Sequence, residues 1–272
     1  MESVFGRAVV SRVGLREGKS PWLLTFEDGR QAVLRDRGPF ATELAALKVT
    51  ADNGVPAPKV LASDENGLLL SVVAGSSKIP QTSDPGRSHA LGAAAAAIHA
   101  VELAPSKDLP VRHRPIELED FDAWRAKRGA SPLLLAAVQA IADRPEPPHP
   151  TVLVHGDLWQ GNTMWLDGAL SAVIDWDCSG VGHPGVDLGS LRCDAAVMYG
   201  VEAAAQVLAG WEERAERPAP DVAYWDVVAS LSTPPDLSEW QSTIADQGRT
   251  DLDGATLTAR RDEFLQAALL KL

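Results

Sequence analysis

The chain has 272 residues, and 45 % of them are hydrophobic, which is enough for a substantial core in one large domain or in two lobes. Its formal net charge of −12 argues against nucleic acid as a partner, because phosphate backbones are bound by basic surfaces. The sequence contains no apolar run long enough to span a membrane and no secretory signal, so we expect a cytoplasmic protein. The two cysteines, Cys178 and Cys193, are then reduced thiols, with a disulfide between them as the alternative.

The N-terminal segment predicts a β-meander. Residues 7–13, 22–26 and 31–35 have the composition of short strands, and Asp28-Gly29 marks the turn between the second and the third. The polar residues 14–21 predict a loop between the first two strands.

A helix containing Glu43 follows, with Leu44 and Leu47 on its apolar side, and the Gly- and Pro-rich residues 53–58 end it. Residues 59–62 and 68–73 predict two further strands.

Most of the remaining chain predicts helices. Proline-rich segments separate stretches in which apolar residues recur at helical spacing. The predicted helices cover residues 88–103, 118–128, 132–142, 188–199, 201–216, 221–232 and 257–270.

The most informative stretch is residues 151–177. It opens with an apolar run at 151–154, which predicts a short buried strand, and continues with the polar turn His155-Gly156-Asp157. Two segments, 162–166 and 169–175, then flank the pair Asp167-Gly168. An Asp-Gly pair between two apolar segments is typical of a β-hairpin.

This hairpin is predicted to bring three oxygen-bearing side chains together. A two-residue loop places Asn162 opposite Val173, and side chains alternate along a strand, so Asn162 and Asp175 become diagonal neighbours roughly 7–8 Å apart. Asp157 lies just upstream. Oxygen ligands without a Cys or His cluster suit Mg²⁺ on substrate phosphates, so we predict Asn162 and Asp175 as metal ligands.

Two motifs in this stretch resemble those of the aminoglycoside phosphotransferase family. Asn162 lies five residues after Asp157, in His-Gly-Asp-x4-Asn, and Asp175, in Ile-Asp-Trp-Asp, lies thirteen residues after Asn162. Protein kinases space their catalytic loop and their metal-binding Asp-Phe-Gly in a similar way. The resemblance implies a bilobal, protein-kinase-like fold of class α+β. Its small N-terminal antiparallel β-sheet lobe with one helix would cover residues 1–74, and its larger, mostly helical C-terminal lobe would cover residues 75–272.

The resemblance also implies the working parts of an ATP-dependent kinase. Asp157 would be the catalytic residue, which orients the acceptor hydroxyl and accepts its proton. Arg35 would hold the α- and β-phosphates where kinases use a lysine, and it would pair with Glu43. The alternative for these two residues is an exposed arginine and a solvated glutamate.

Further nucleotide contacts follow from the same resemblance. Gly18, Lys19 and Ser20 would neighbour the phosphates, although their sequence also suits an ordinary hairpin loop. Adenine would bond to the main chain of Ser71, Val72 and Val73 at the hinge between the lobes. Asp187 would anchor the catalytic loop through backbone hydrogen bonds, with a plain helix N-cap as the alternative.

The resemblance further implies that the phosphate acceptor lies against the C-terminal helices. The candidate contacts are Asp236, Glu239, Trp240 and Asp246, because carboxylates beside an aromatic ring suit a polyamine or amino sugar; solvated charge on a loop is the alternative.

The predicted function is transfer of the γ-phosphate of ATP to a hydroxyl of a small molecule, such as an aminoglycoside or another amino-bearing acceptor. We expect a monomer or homodimer with no membrane partner. Trp159 gives the predicted catalytic loop a resemblance to that of the fructosamine kinases, so a sugar kinase is the main alternative. A non-catalytic nucleotide-binding regulator and a metal-dependent hydrolase are the others.

Overall fold

The N-terminal part of the chain is an antiparallel sheet with one helix. In the computed structural model, which describes residues 8–16 and 19–272, five strands lie in the order β1-β2-β3-β5-β4. They are β1 (Val9–Arg16), β2 (Lys19–Phe26), β3 (Gln31–Arg35), β4 (Val60–Asp64) and β5 (Gly67–Ser71). Helix α1 (Ala41–Asp52) connects β3 to β4. The predicted meander and helix are therefore confirmed.

The loop predicted at residues 14–21 is wrong in its extent. Strands β1 and β2 stay paired through most of it, with Gly14 opposite Trp22. Asp36 explains part of this extension, because it accepts hydrogen bonds from the indole of Trp22 at 2.9 Å and from Arg12 at 2.6 Å. These contacts tie both strands to the end of β3, and a sequence pattern does not reveal them.

The C-terminal part is mostly helical. Its helices are α2 (Pro85–His99), α3 (Phe121–Arg128), α4 (Pro132–Ala142), α5 (Gly185–Tyr199), α6 (Val201–Ala215), α7 (Val222–Leu231), α8 (Gln241–Asp246) and α9 (Gly254–Leu269). Helix α8 lies in a polar segment that the sequence did not predict as helical. Helices α2 and α6 pack closely at two glycines, since a Cβ on Gly92 would lie 1.9 Å from the backbone oxygen of Val207. None of the described helices is long and apolar enough to cross a membrane.

Two small sheets carry the central stretch. In the first, β10 (Gly180–Gly182) lies between β6 (Val111–Arg112) and the buried strand β7 (Val152–Val154). The second is the hairpin of β8 (Thr163–Leu166) and β9 (Ala169–Val173). The predicted buried strand and hairpin are both confirmed.

The main hydrophobic core extends across both parts of the chain. Leu47 of α1 and Leu68 of β5 belong to the same buried cluster as Leu153 of β7, Leu188 of α5 and Trp211 of α6. Burying each such side chain stabilises the fold by about 1.5–3 kcal/mol. This shared core holds β3 and α1 against the segment that follows β9.

Candidate functional site

The β8–β9 hairpin positions the central polar residues, in a register that differs by one residue from the prediction. Leu166 faces Ala169, as expected, but Val173 faces Thr163 and not Asn162. The cause is a bulge at Ser171, whose hydroxyl donates a hydrogen bond of 2.8 Å to the backbone oxygen of Ala74. The hairpin is thus tied to the segment after β5.

Asn162 nevertheless lies beside the segment that carries Asp175. Its backbone oxygen accepts a hydrogen bond of 2.9 Å from Ile174, the residue after β9. Asp175 then adopts a left-handed conformation, with φ of 66°, which turns the chain into a short 3₁₀ helix at Trp176–Cys178.

The loop between β7 and β8 is held by one buried carboxylate. Asp187 accepts hydrogen bonds from the backbone N–H groups of His155, at 2.7 Å, and Gly156, at 2.8 Å. Its Oδ2 is also 3.2 Å from Nε2 of His99, whose Nδ1 accepts a hydrogen bond of 2.9 Å from Trp211. The indole bond places the histidine proton on Nε2, so His99 donates to Asp187. Burial raises the pKa of Asp187, but these partners outweigh it and the pKa is lowered.

Gly156 occupies a position in this loop that other residues cannot take without strain. Its φ is 81°, and a Cβ there would lie 2.1 Å from the backbone oxygen of Cys178. The close approach brings the loop against the segment that follows Asp175.

Asp157 and Asn162 are hydrogen-bonded to each other. The Asn162 amide nitrogen lies 2.9 Å from the backbone oxygen of Asp157 and 3.1 Å from its Oδ2. Burial raises the pKa of Asp157 to about 8, and the negative charge of Asp175 contributes to the rise. Both effects disfavour the charged form of Asp157.

Arg35 connects the N-terminal sheet to this centre. Its Nη1 is 3.0 Å from Oε1 of Glu43 and 2.6 Å from Oδ1 of Asp175, and its Nη2 is 2.8 Å from Oδ2 of Asp177. Burial raises the pKa of Glu43 to about 7, against the opposing effect of Arg35. The predicted pairing of Arg35 with Glu43 is present in the structure, and the alternative of two solvated side chains does not apply.

The donor set at this centre fits Mg²⁺. Asp175 offers a carboxylate, and Asn162 offers its amide oxygen, since the amide nitrogen is committed to Asp157. Among the residues that the structure describes, no group of three or more His, Cys, Asp or Glu side chains is arranged to hold a metal ion. A carboxylate and an amide oxygen are donors that suit an ion taking its other ligands from phosphate and water, as Mg²⁺ does.

The other predicted nucleotide contacts lie along the sheet. Gly18 is outside the described residues. The hydroxyl of Ser20 is 3.4 Å from the backbone nitrogen of Asp36, and the hydroxyl of Ser71 accepts a hydrogen bond from the backbone of Lys59. Val72 is exposed and Val73 is half-buried, directly after β5. Lys19 begins β2.

A cavity of about 300 Å³ opens beside Asp157. Of the four predicted acceptor contacts, Trp240 lines it. Asp236 accepts a hydrogen bond from the backbone of Ser238 and lies with Glu239 at a separate depression. Glu239 forms an ion pair with Arg128, and the backbone oxygen of Asp246 accepts a hydrogen bond from Lys78.

The sequence reasoning missed a second carboxylate in this cavity. Asp194 lines it, and its Oδ2 accepts hydrogen bonds from the side chain of Gln160, at 2.9 Å, and from the backbone of Gln160, at 3.3 Å. Spacing is the signal that could have revealed it. Asp194 follows Asp187 by seven residues, about two helical turns, so both lie on one face of α5.

Comparison with known proteins identifies related chains. The model of the Phosphotransferase enzyme family matches residues 11–227. Over 86 residues the chain is 40 % identical to viomycin phosphotransferase from Streptomyces vinaceus. That match covers 29 % of this chain and 26 % of the relative, so it spans about a quarter of the relative's length.

Solved structures share the fold over most of the chain. The macrolide 2′-phosphotransferase MphH from Brachybacterium faecium is 23 % identical, with 91 % of this chain and 87 % of that chain covered and a TM-score of 0.56. Choline kinase LicA from Streptococcus pneumoniae is 16 % identical, with 97 % and 94 % covered and a TM-score of 0.59. At these identities the likeness concerns the fold alone, which is protein-kinase-like and α+β, as the sequence predicted.

Proposed function

The chain belongs to the phosphotransferase enzyme family, and from this premise we propose that it transfers the γ-phosphate of ATP to a hydroxyl of a small molecule. The observation that carries the proposal is the convergence of Asp157, Asn162 and the Arg35–Asp175 pair at one centre beside a cavity. In this proposal residues 1–74 contribute mainly to nucleotide binding, and residues 75–272 contribute the catalytic loop and the acceptor site.

Asp157 is the proposed catalytic residue. An alcohol hydroxyl has a pKa far above that of any aspartate, so its proton leaves only as the new bond forms. The hydroxyl oxygen bonds to the γ-phosphorus, the bond from that phosphorus to the bridging oxygen breaks, and ADP leaves with the electron pair. The hydroxyl proton passes to the carboxylate of Asp157, which lines the cavity.

Asn162 and Asp175 are the residues that would hold Mg²⁺, which supplies charge neutralisation at the phosphates. Asn162 also keeps Asp157 in place through its amide hydrogen bonds. Arg35, supported by Glu43, would position the phosphates with its guanidinium group. Positioning and charge neutralisation account for most catalysis of this type.

The test is the isosteric substitution Asp157→Asn. Since proton acceptance is lost, we expect kcat to fall about 100- to 10,000-fold while Mg·ATP still binds with an affinity near that of the wild type. The rate of ADP release, measured with an acceptor that the wild type phosphorylates, gives kcat. Titration calorimetry gives the affinity for Mg·ATP. An unchanged kcat in this variant would end the assignment. A chain that binds no Mg·ATP at all would favour the hydrolase alternative.

A further inference from the structure

The cavity beside Asp157 has a composition that restricts what it can hold, given the proposed function on which this inference rests. Its volume of about 300 Å³ is at the lower end of the range for small-molecule sites. Most of its lining is apolar or aromatic. The residues concerned include Ile116, Phe121, Trp124, Trp159, Met198 and Trp240.

The aromatic rings form walls on several sides of this cavity. Phe121 packs edge-on against Trp124, with ring centroids 5.7 Å apart, and against Trp240 at 6.2 Å. Trp159 lies between Asp157 and the short helical turn of the catalytic loop, and its ring covers Gly161 so closely that a Cβ there would be 2.3 Å away. Ring faces of this kind attract a cation through their electron density and also bury apolar surface.

Asp194 faces this cavity from helix α5 and is the more enclosed of two carboxylates there besides Asp157, since Glu119, which also lines the cavity, is exposed to solvent. Both hydrogen bonds from Gln160 end on its Oδ2. Within the described residues, its other oxygen, Oδ1, accepts no hydrogen bond from the protein. Arg249 and Arg87 act on this carboxylate from the protein side, and a protonated amine in the cavity provides it with a direct partner. The carboxylates predicted from the sequence do not provide this charge, because Asp236 and Glu239 lie outside the cavity lining.

We propose that the phosphate acceptor is a compact alcohol with one protonated amine and an apolar or aryl body, and that Asp194 selects it by pairing with the amine. The aromatic walls hold the body, and Asp157 meets the hydroxyl. We expect a polycationic aminoglycoside to be the poorer acceptor, because the apolar walls offer few partners for its several charges.

The first experiment compares acceptors in an ADP-release assay. Phenylalaninol has the amine, the aryl group and the hydroxyl; hydrocinnamyl alcohol is its counterpart without the amine; kanamycin is the polycation. We expect kcat/KM for phenylalaninol to exceed that for each of the others by about tenfold or more. Turnover of kanamycin but not of phenylalaninol would overturn this inference and uphold the proposed function. Absence of turnover together with absence of Mg·ATP binding would overturn both.

The second experiment tests Asp194 itself. Asp194→Asn keeps an oxygen for the Gln160 hydrogen bonds and removes the charge. We expect KM for phenylalaninol to rise about tenfold, with kcat nearly unchanged, so that the preference over hydrocinnamyl alcohol disappears. Glu239→Gln, which removes a carboxylate outside the cavity, should keep the preference. A wild-type preference in Asp194→Asn, or its loss only in Glu239→Gln, contradicts the inference.

A third variant covers the case in which Asp194→Asn does not fold. Trp240→Leu removes one aromatic wall and leaves Asp194 and Gln160 in place. Here the expected result is a KM for phenylalaninol raised several-fold, with the Mg·ATP affinity of the wild type. An unchanged KM would show that the cavity does not hold the aryl group.

Discussion

Arg35 Nη1 lies 2.6 Å from Oδ1 of Asp175, so the arginine that ends β3 is paired with the proposed metal ligand across the two parts of the chain. Glu43 holds the same guanidinium group from α1 at 3.0 Å. The three carboxylates around Arg35 raise its pKa further, although burial opposes this, and Arg35 stays charged. Arg35 thus balances negative charge that the fold brings together from α1 and from the segment after β9.

Removal of Arg35 should destabilise the chain. In Arg35→Met the buried Glu43 and the neighbouring Asp175 and Asp177 lose their common partner, and we expect the free energy of unfolding to fall by about 3 kcal/mol. Urea denaturation measures this change. Arg35→Lys is the matched control, since it keeps the charge but not the planar fork, and it should lose less. Equal losses in the two variants would show that charge pairing is not what Arg35 contributes.

Loss of Asp175 should act on the nucleotide and not on the acceptor. In Asp175→Ala we expect affinity for ATP to become independent of Mg²⁺, because one of two proposed protein ligands is gone. Calorimetric titration of ATP with and without Mg²⁺ measures this. Asp177→Asn is a suitable comparison, as Asp177 also pairs with Arg35 but is not a proposed ligand. Wild-type binding of Mg·ATP to Asp175→Ala would refute the role of Asp175.

Two glycines with the same φ of 81° offer a controlled test of the catalytic loop. Gly168→Ala in the hairpin turn should lower the free energy of unfolding by about 1–2 kcal/mol. Alanine is strained at this positive φ, but its Cβ would have no atom within 4 Å. Gly156→Ala should cost more and lower kcat about 100-fold, because its Cβ would displace the loop from Cys178. Thermal denaturation and ADP release report the two effects. Indistinguishable kinetics in the two variants would contradict the tight packing of this loop.

The buried His183 predicts a pH dependence of stability. Burial lowers its pKa to about 3 from an ordinary 6.5, and its ring stacks on Trp225 at 4.7 Å. The unfolded chain therefore binds a proton below about pH 6.5 that the folded chain refuses until about pH 3. This contribution to stability is complete above pH 6.5 and is lost as pH falls, by up to about 1.4 kcal/mol per pH unit.

His183→Asn removes this titration and keeps an acceptor for the Gly185 N–H, which His183 Nδ1 binds at 2.9 Å. We expect the stability of this variant relative to the wild type to rise between pH 7 and pH 5, measured by urea denaturation at each pH. His113→Asn changes an exposed histidine and leaves the buried ring in place, which makes it the control. A pH-independent difference for His183→Asn would sink this prediction.

Local patterns predicted much of this architecture because they depend on neighbouring residues. The Asp-Gly turn and its flanking apolar segments specify the hairpin, and two spaced motifs specify the loop and Asp175. The predicted register was wrong because of the bulge at Ser171, whose hydroxyl bonds to Ala74, 97 positions away along the chain. No periodicity in the sequence encodes such a contact.

The acceptor side was harder to predict for a related reason. Glu239 has the right chemistry for binding a cation, but its partner Arg128 is 111 positions away along the chain. Asp194, by contrast, lies within a mostly apolar helix. It can be identified as a candidate only after Asp187, which lies on the same face of that helix, has been given a role.

Helix α5 supplies Asp187 to the backbone of the catalytic loop and Asp194 to the cavity wall. A shift of α5 along its axis that served a new acceptor would also misplace the loop. Diversification of acceptor range in such a scaffold is therefore easier at lining residues outside α5, such as those in 115–124 and 237–244, where side chains can be exchanged without moving Asp187.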